Sequence, residues 1–191
     1  MTKPLKQIKV IHVASGDRWA GAEAQVYTLL KTLNKMADVT VYAVILNDGE
    51  LAKKLGDEGI NTTILDETHL SSWKILGRLK SLFQEIQPDI IHTHRLKENV
   101  LASIANKLST NAILVATIHG DSEFNYPIWK IHKRAPQWIN WFCIRFLYKK
   151  VIAVSMDLSE KLSIHYPRDR IQVIENGIDV KAVQLAANTS H

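Results

Sequence analysis

Short apolar runs rich in Val and Ile alternate along this chain with longer stretches whose apolar residues recur every three or four positions. The runs predict strands at Ile8–Val13, Val39–Leu46, Asn61–Leu65, Asp89–His94, Ala112–Ile118, Val151–Val154 and Ile171–Ile174. The longer stretches predict helices at Ala22–Asn34, Glu50–Glu58, Trp73–Ile86, Glu98–Leu108, Pro136–Lys149 and Met156–His165. Pro88 closes the third helix, and Pro136 is read at an early helical position, where a missing N–H costs little. Runs such as Ile8–Val13 and Val151–Val154 are near-continuously apolar, the pattern of strands buried on both faces. Strict strand–helix alternation predicts an α/β, doubly wound, mostly parallel sheet with helices on both faces, a Rossmann-like fold.

Such a sheet binds ligands beyond the carboxyl ends of its strands. Strand one delivers the loop from Ala14 to Gly21, strand four His92 and His94, strand five His119, Gly120 and Asp121, and strand six Ser155. The first loop leads into a helix N-terminus, whose unpaired N–H groups and dipole favour an anion. Gly16 and Gly21 stand five apart, so neither a dinucleotide fingerprint nor a P-loop is present. Taken singly, either glycine reads equally well as a turn or packing residue. His92 and His94 share one strand face, a spacing that suits zinc. No Cys or carboxylate cluster stands near them to complete four ligands, so no metal is expected. His92 is expected to pack at the strand end and His94 to line the cleft. His119, held between an apolar run and a glycine, is the better candidate to meet a phosphate or a sugar hydroxyl, the alternative being a loop histidine bonded to backbone.

Length and composition narrow the classes. A chain of 191 residues with 46% hydrophobic and 23% charged residues is that of an ordinary globular domain. No apolar run reaches the ~20 residues of a membrane-spanning helix. The N-terminus runs straight into a strand, so no signal peptide is expected. A single cysteine, Cys143, makes no internal disulfide and favours a reducing, cytoplasmic setting. Net charge is +5, but its placement says more: residues 124–156 hold no acid. Lys130, Lys133, Arg134, Arg145, Lys149 and Lys150 are interleaved there with Trp129, Trp138, Trp141, Phe142, Phe146 and Tyr148. Core packing is expected to claim at least half of these aromatics. Trp129, Lys130, Lys133, Arg134 and Trp138 are the candidates for contact with a membrane or a lipid phosphate. No nucleic-acid motif accompanies the charge, so nucleic acid is not expected as a partner.

Five segments taken together resemble family 4 glycosyltransferases. Gly21-Ala22-Glu23 is similar to their GGAE signature, and Pro88-Asp89-Ile90-Ile91-His92-Thr93-His94 to their PDxxHxH strand. Ala116-Thr117-Ile118-His119-Gly120, Val151-Ile152-Ala153-Val154-Ser155 and Asn176-Gly177-Ile178-Asp179 follow in the family's order. The resemblance implies the N-terminal, acceptor-binding half of a GT-B enzyme across residues 1–179. Residues 180–191 would then begin a linker or a disordered tail, and the C-terminal donor-binding domain would be absent. It further implies a retaining transfer from a nucleotide-sugar co-substrate with no cofactor or metal, in cell-surface polysaccharide or glycoconjugate synthesis. On that reading Gly16, Ala20 and Gly21 contact the donor phosphate. His119 stands at the reaction centre, and Arg18, His94, Gly120 and Asp121 line the acceptor side. Partners would be a nucleotide-sugar held by the missing domain, a sugar or lipid-linked acceptor, the inner membrane face, and possible further copies in a homodimer. The family's Glu-x7-Glu motif belongs to the absent half; Glu50 and Glu58 match its spacing by coincidence, on a solvated helix face. Ala20 also replaces a glycine common in relatives. The rival reading is a non-catalytic glycan- or lipid-phosphate-binding module at a membrane. A dinucleotide enzyme is disfavoured by the missing fingerprint.

Overall fold

The computed structural model describes residues 7–120 and 131–177, with residues 131–134 described in backbone only. Its strands are β1 (Ile8–Ala14), β2 (Val39–Ile45), β3 (Asn61–Ile64), β4 (Ile90–Thr93), β5 (Ile113–Ile118), β6 (Lys150–Ala153) and β7 (Ile171–Val173). All pair in parallel, in the order β3-β2-β1-β4-β5-β6-β7. The helices are α1 (Gly21–Leu33), α2 (Glu50–Asp57), α3 (Ser72–Ile86), α4 (Leu96–Lys107), α5 (Ile131–Leu147) and α6 (Met156–Leu162).

The strand order runs outward from β1 to β3, then restarts at β4 and runs the other way. Right-handed crossovers therefore put α1 and α2 on one face and the later helices on the other. Two buried cores follow from this. Alternation along β2 sends Val41, Ala43 and Ile45 to a core with Val26 and Leu30 of α1 and Leu51 and Leu55 of α2. Val44 goes to the opposite core, with Ile75, Leu79 and Phe83 of α3, Ala102 of α4, Ile144 of α5 and Leu158 of α6. Over β4, β5 and β6 no described helix covers the α1 side. A groove of about 490 Å³ lies there, between Val10, Ile90, Val115 and Ile152 of the sheet and Leu29 and Leu33 of α1.

Helix α5 departs from the sequence expectation. It starts at Ile131, so Pro136 sits inside it rather than at its beginning. Proline there has no N–H to donate and its ring crowds the preceding turn. Burial of Cys143 and Ile144 on the core side holds the helix together across that defect. The aromatics also divide differently from expectation. Tyr148 is buried, with its hydroxyl bonded to the Asn99 carbonyl at 2.9 Å and to Thr93 at 3.1 Å. Trp141 packs partly against the same core. Trp138, Phe142 and Phe146 stand exposed, so fewer than half of the described aromatics of this segment serve the core. Among the described residues no helix is long and apolar enough to cross a membrane.

Candidate active site

Strand order reverses between β1 and β4, and the loops leaving those two strands diverge to opposite faces of the sheet, opening a crevice. The β1–α1 loop forms one wall. Ala20 occupies the N-cap of α1 in extended conformation, and no side chain caps the first turn. Its leading N–H groups therefore face outward unpaired by a cap, at the positive end of the dipole. A Cβ placed at Gly21 would meet nothing within 4 Å, so that position is open to a ligand. Gly16 is different. It is buried, and a Cβ there would lie 2.8 Å from Ile45 Cγ2 and 3.2 Å from the Asn47 carbonyl. Packing explains its identity, while Arg18, Ala20 and Gly21 are exposed.

The β4–α4 loop forms the other wall and is tied to the first. The Arg95 guanidinium pairs with the buried carboxylate of Glu23 on α1 and lies 3.6 Å from Asp17. The Ser15 hydroxyl donates to Glu98 Oε1 of α4 at 2.5 Å. Burial pushes the Glu98 carboxyl up, with the Ser15 bond pulling the other way. Gln25 of α1 donates to the Gly177 carbonyl at 3.2 Å, joining the helix to the Asn-Gly element after β7.

Four histidines line the crevice floor. His12 lies opposite His92 in the β1–β4 ladder. Alternation places both, with Val10 and Ile90, on the groove side. His94 follows β4 and His119 follows β5. His12 Nδ1 stands 3.2 Å from His94 Nε2, and His94 Nδ1 stands 3.4 Å from His119 Nε2. His92 Nε2 meets the Thr117 hydroxyl at 2.7 Å. Burial lowers His92 to about 3, and burial together with the Arg95 charge lowers His119 to about 4. Burial holds His12 and His94 well below the ordinary value too. All four are therefore neutral near pH 7 and can donate a hydrogen bond without carrying charge. His12, His92 and His94 offer nitrogens within 4.8 Å of one another, the one such group of potential metal ligands among the described residues. The missing third ligand of the sequence reading is thus His12. However, His12 Nδ1 and His94 Nε2 face each other edge to edge, with the two rings 19° apart and their centroids 5.5 Å apart. Those two nitrogens are therefore directed at each other rather than at a shared point.

His94 and His119 line the groove together with Gln25 of α1, while Ala20 and Gly21 stand at the start of that helix. Gly120, next to His119 in the chain, is half-buried with open space at its Cβ position. Asp121, Trp129 and Lys130 lie outside the described residues. Lys133 and Arg134 lie on α5 with no description of their side chains, and Trp138 is exposed on the same helix. Ser155 caps α6, accepting from the Leu158 N–H at 3.2 Å. Sequence reasoning missed His12, Arg95 and Glu98. His12 reads as an interior strand residue until β1 is known to adjoin β4. Arg95 and Glu98 read as an ordinary helix start.

The chain matches the family model for Glycosyltransferase Family 4 across residues 19–182, and it belongs to that family. No curated protein matches it by sequence. Among solved structures it is similar to Anabaena Alr3699/HepE in complex with UDP-glucose (TM-score 0.74, 16% identity, 96% of this chain and 50% of that one). It is also similar to the lipopolysaccharide outer core galactosyltransferase WaaB (0.70, 14%, 91% and 47%). A third is a glycosyltransferase from Rickettsia africae (0.68, 22%, 96% and 49%). The fold is thus that of GT-B enzymes. The chain spans about half the length of the structures it matches.

Proposed function

We propose that this chain is the acceptor-binding half of a retaining, nucleotide-sugar-dependent glycosyltransferase, inactive without a donor-binding domain. One observation carries the reading: the neutral imidazoles of His94 and His119 stand in contact at the sheet's switch point, in a groove walled by α1, whose first turn has no side-chain cap. Transfer from a nucleotide-sugar builds negative charge on the departing diphosphate. Preorganised N–H donors aimed at that charge lower the barrier. The first turn of α1 supplies backbone donors, and His119 supplies a donor to the transferred sugar or its phosphate. An imidazole lowered to about 4 is a weak base, so the departing phosphate itself takes the acceptor's proton. No metal ion is needed for those steps. Arg18 and Gly120 flank the acceptor side, and residues 1–179 form the domain. The UDP-glucose complex of the Anabaena neighbour supports a nucleotide-sugar donor. WaaB's place in lipopolysaccharide supports a cell-surface glycan product.

Incubating the chain with nucleotide-sugars and candidate acceptors is expected to give no transfer. Adding a donor-binding domain, fused or separate, is expected to restore it, and His119→Ala then lowers kcat/KM by about 10²-fold. Turnover by the 191 residues alone defeats the proposal.

A second reading concerns where the chain works. Trp138, Ile139, Phe142 and Phe146 form an exposed apolar face of α5, with Arg145 beside it. An amphipathic surface helix of that make-up suits the inner membrane face. Trp138→Ala with Phe142→Ala is expected to weaken sedimentation with anionic vesicles about tenfold. Equal binding by the double variant removes the membrane from the picture.

A further inference from the structure

We propose that His94, backed by His12, is a positioning residue that fixes the tautomer of His119, so that the proton of His119 sits on Nδ1 at the rim. The inference rests on the reading of His119 as the group that meets sugar or phosphate, and it adds what kind of contact that residue makes.

The three imidazoles form a line from the sheet interior to the crevice. His12 Nδ1 meets His94 Nε2 at 3.2 Å, and His94 Nδ1 meets His119 Nε2 at 3.4 Å. A neutral imidazole has one N–H and one lone pair. Three of them in a row can therefore carry their protons in only two arrangements, one the reverse of the other. In the first, every Nδ1 bears the proton, each ring donates outward, and His12 Nε2 keeps a bare lone pair. In the second, every Nε2 bears the proton, each ring donates inward, and His12 Nε2–H points at no acceptor.

The inner end decides between them. His12 is fully buried, and its Nε2 has no hydrogen-bond partner. An orphaned buried N–H is the costlier defect, since a donor stripped of water loses more than an under-used acceptor. The line therefore runs outward: His12 Nδ1–H to His94, and His94 Nδ1–H to His119. His119 accepts at Nε2 and keeps its own N–H on Nδ1, which has no partner among the described residues. His92 stands aside from the line. It bonds Thr117 and stacks on His94 at 4.5 Å, lining the groove beside the relay. A metal held by His12, His92 and His94 would need lone pairs on nitrogens that this arrangement commits to each other.

The consequence is a rim residue that only donates. It suits a phosphate oxygen or a sugar hydroxyl oxygen, and it offers no lone pair toward a ligand's own N–H or O–H.

Long-range proton–nitrogen NMR of the chelator-treated, histidine-labelled chain at pH 7 reads the tautomers directly, without any ligand. His12, His94 and His119 are each expected as the Nδ1–H form, with a nitrogen–nitrogen coupling across the His12–His94 pair. An Nε2–H form at His119, or no coupling, overturns the proposal. His94→Leu removes the donor to His119, and the Nδ1–H to Nε2–H ratio at His119 is expected to fall about tenfold, the worth of one buried hydrogen bond. His94→Asn restores it, because the asparagine amide nitrogen reaches as far from the backbone as Nδ1. An unchanged ratio in His94→Leu, with the amide spectrum showing a folded chain, also overturns it. So does uptake of one Zn²⁺ per chain that shifts the His12, His92 and His94 nitrogens together. If the relay is found and nucleotide-sugars nevertheless fail as donors, the functional reading alone falls.

Discussion

Lowering the pH from 7 to 5 is expected to remove about 2 kcal/mol of folding stability through His92 alone, with His12, His94 and His119 adding losses of the same sign. These four imidazoles are neutral in the folded chain, and burial lowers each one's affinity for a proton. In the unfolded chain they titrate near pH 6.5. The unfolded state therefore binds more protons below that value, so stability is complete above about pH 7 and is lost as the pH falls. The slope is about 1.4 kcal/mol per pH unit for each group, continuing down to the folded value, which for His92 is about 3. Other groups act in separable ways. Glu58, Asp66 and Glu67 are lowered and contribute only below about pH 4.5. Glu98 is raised by burial and opposes the histidines, one group against four. Typical domains have about 5–15 kcal/mol in total, so even the His92 share is a sizeable fraction of it. Urea titrations followed by tryptophan fluorescence at pH 7, 6 and 5 measure this. Coincident midpoints at the three pH values would mean the imidazoles are accessible to water and not held neutral by the fold.

The same burial explains what the sequence could show and what it could not. Strands and helices were legible because Val- and Ile-rich runs and three-to-four spacing are local properties. His94 and His119 were legible because each closes an apolar strand. His12 was not, since it lies inside one. Its role arises from the β1–β4 ladder, which pairs residues 80 positions apart in register. Arg95 and Glu98 follow the same logic: each becomes a site residue only when α1 and Ser15 of the neighbouring strand's loop come within reach. Glu58 shows the converse. Its spacing from Glu50 imitates a catalytic pair, but it accepts hydrogen bonds from Tyr27 and Lys31 and fastens α2 to α1. Pro136 misled because a proline is tolerated early in a helix by local rules, whereas here the core side of α5 carries the helix past it.

Gly49→Ala is expected to destabilise the chain by about 3 kcal/mol or more, a larger loss than most single substitutions. Gly49 is the N-cap of α2 in ordinary extended conformation, so backbone strain is not the reason. A Cβ there would stand 2.2 Å from the Gly16 carbonyl oxygen. The two backbones touch, and no side-chain rotation relieves the clash. The β1–α1 loop would have to lift away from α2 to relieve it. The loop carries Ser15 toward Glu98 and leads to Gly21, so the displacement also spoils the rim that the proposed donor contact needs. Gly56→Ala provides the comparison within one helix. That position is exposed, has open space at its Cβ and lies inside α2, so alanine is expected to stabilise by about 0.5–1 kcal/mol. Thermal unfolding of the two variants should move in opposite directions, Gly49→Ala down by about 6–12 °C. Equal shifts would mean that the close approach of Gly16 and Gly49 contributes nothing to holding the first loop against the sheet.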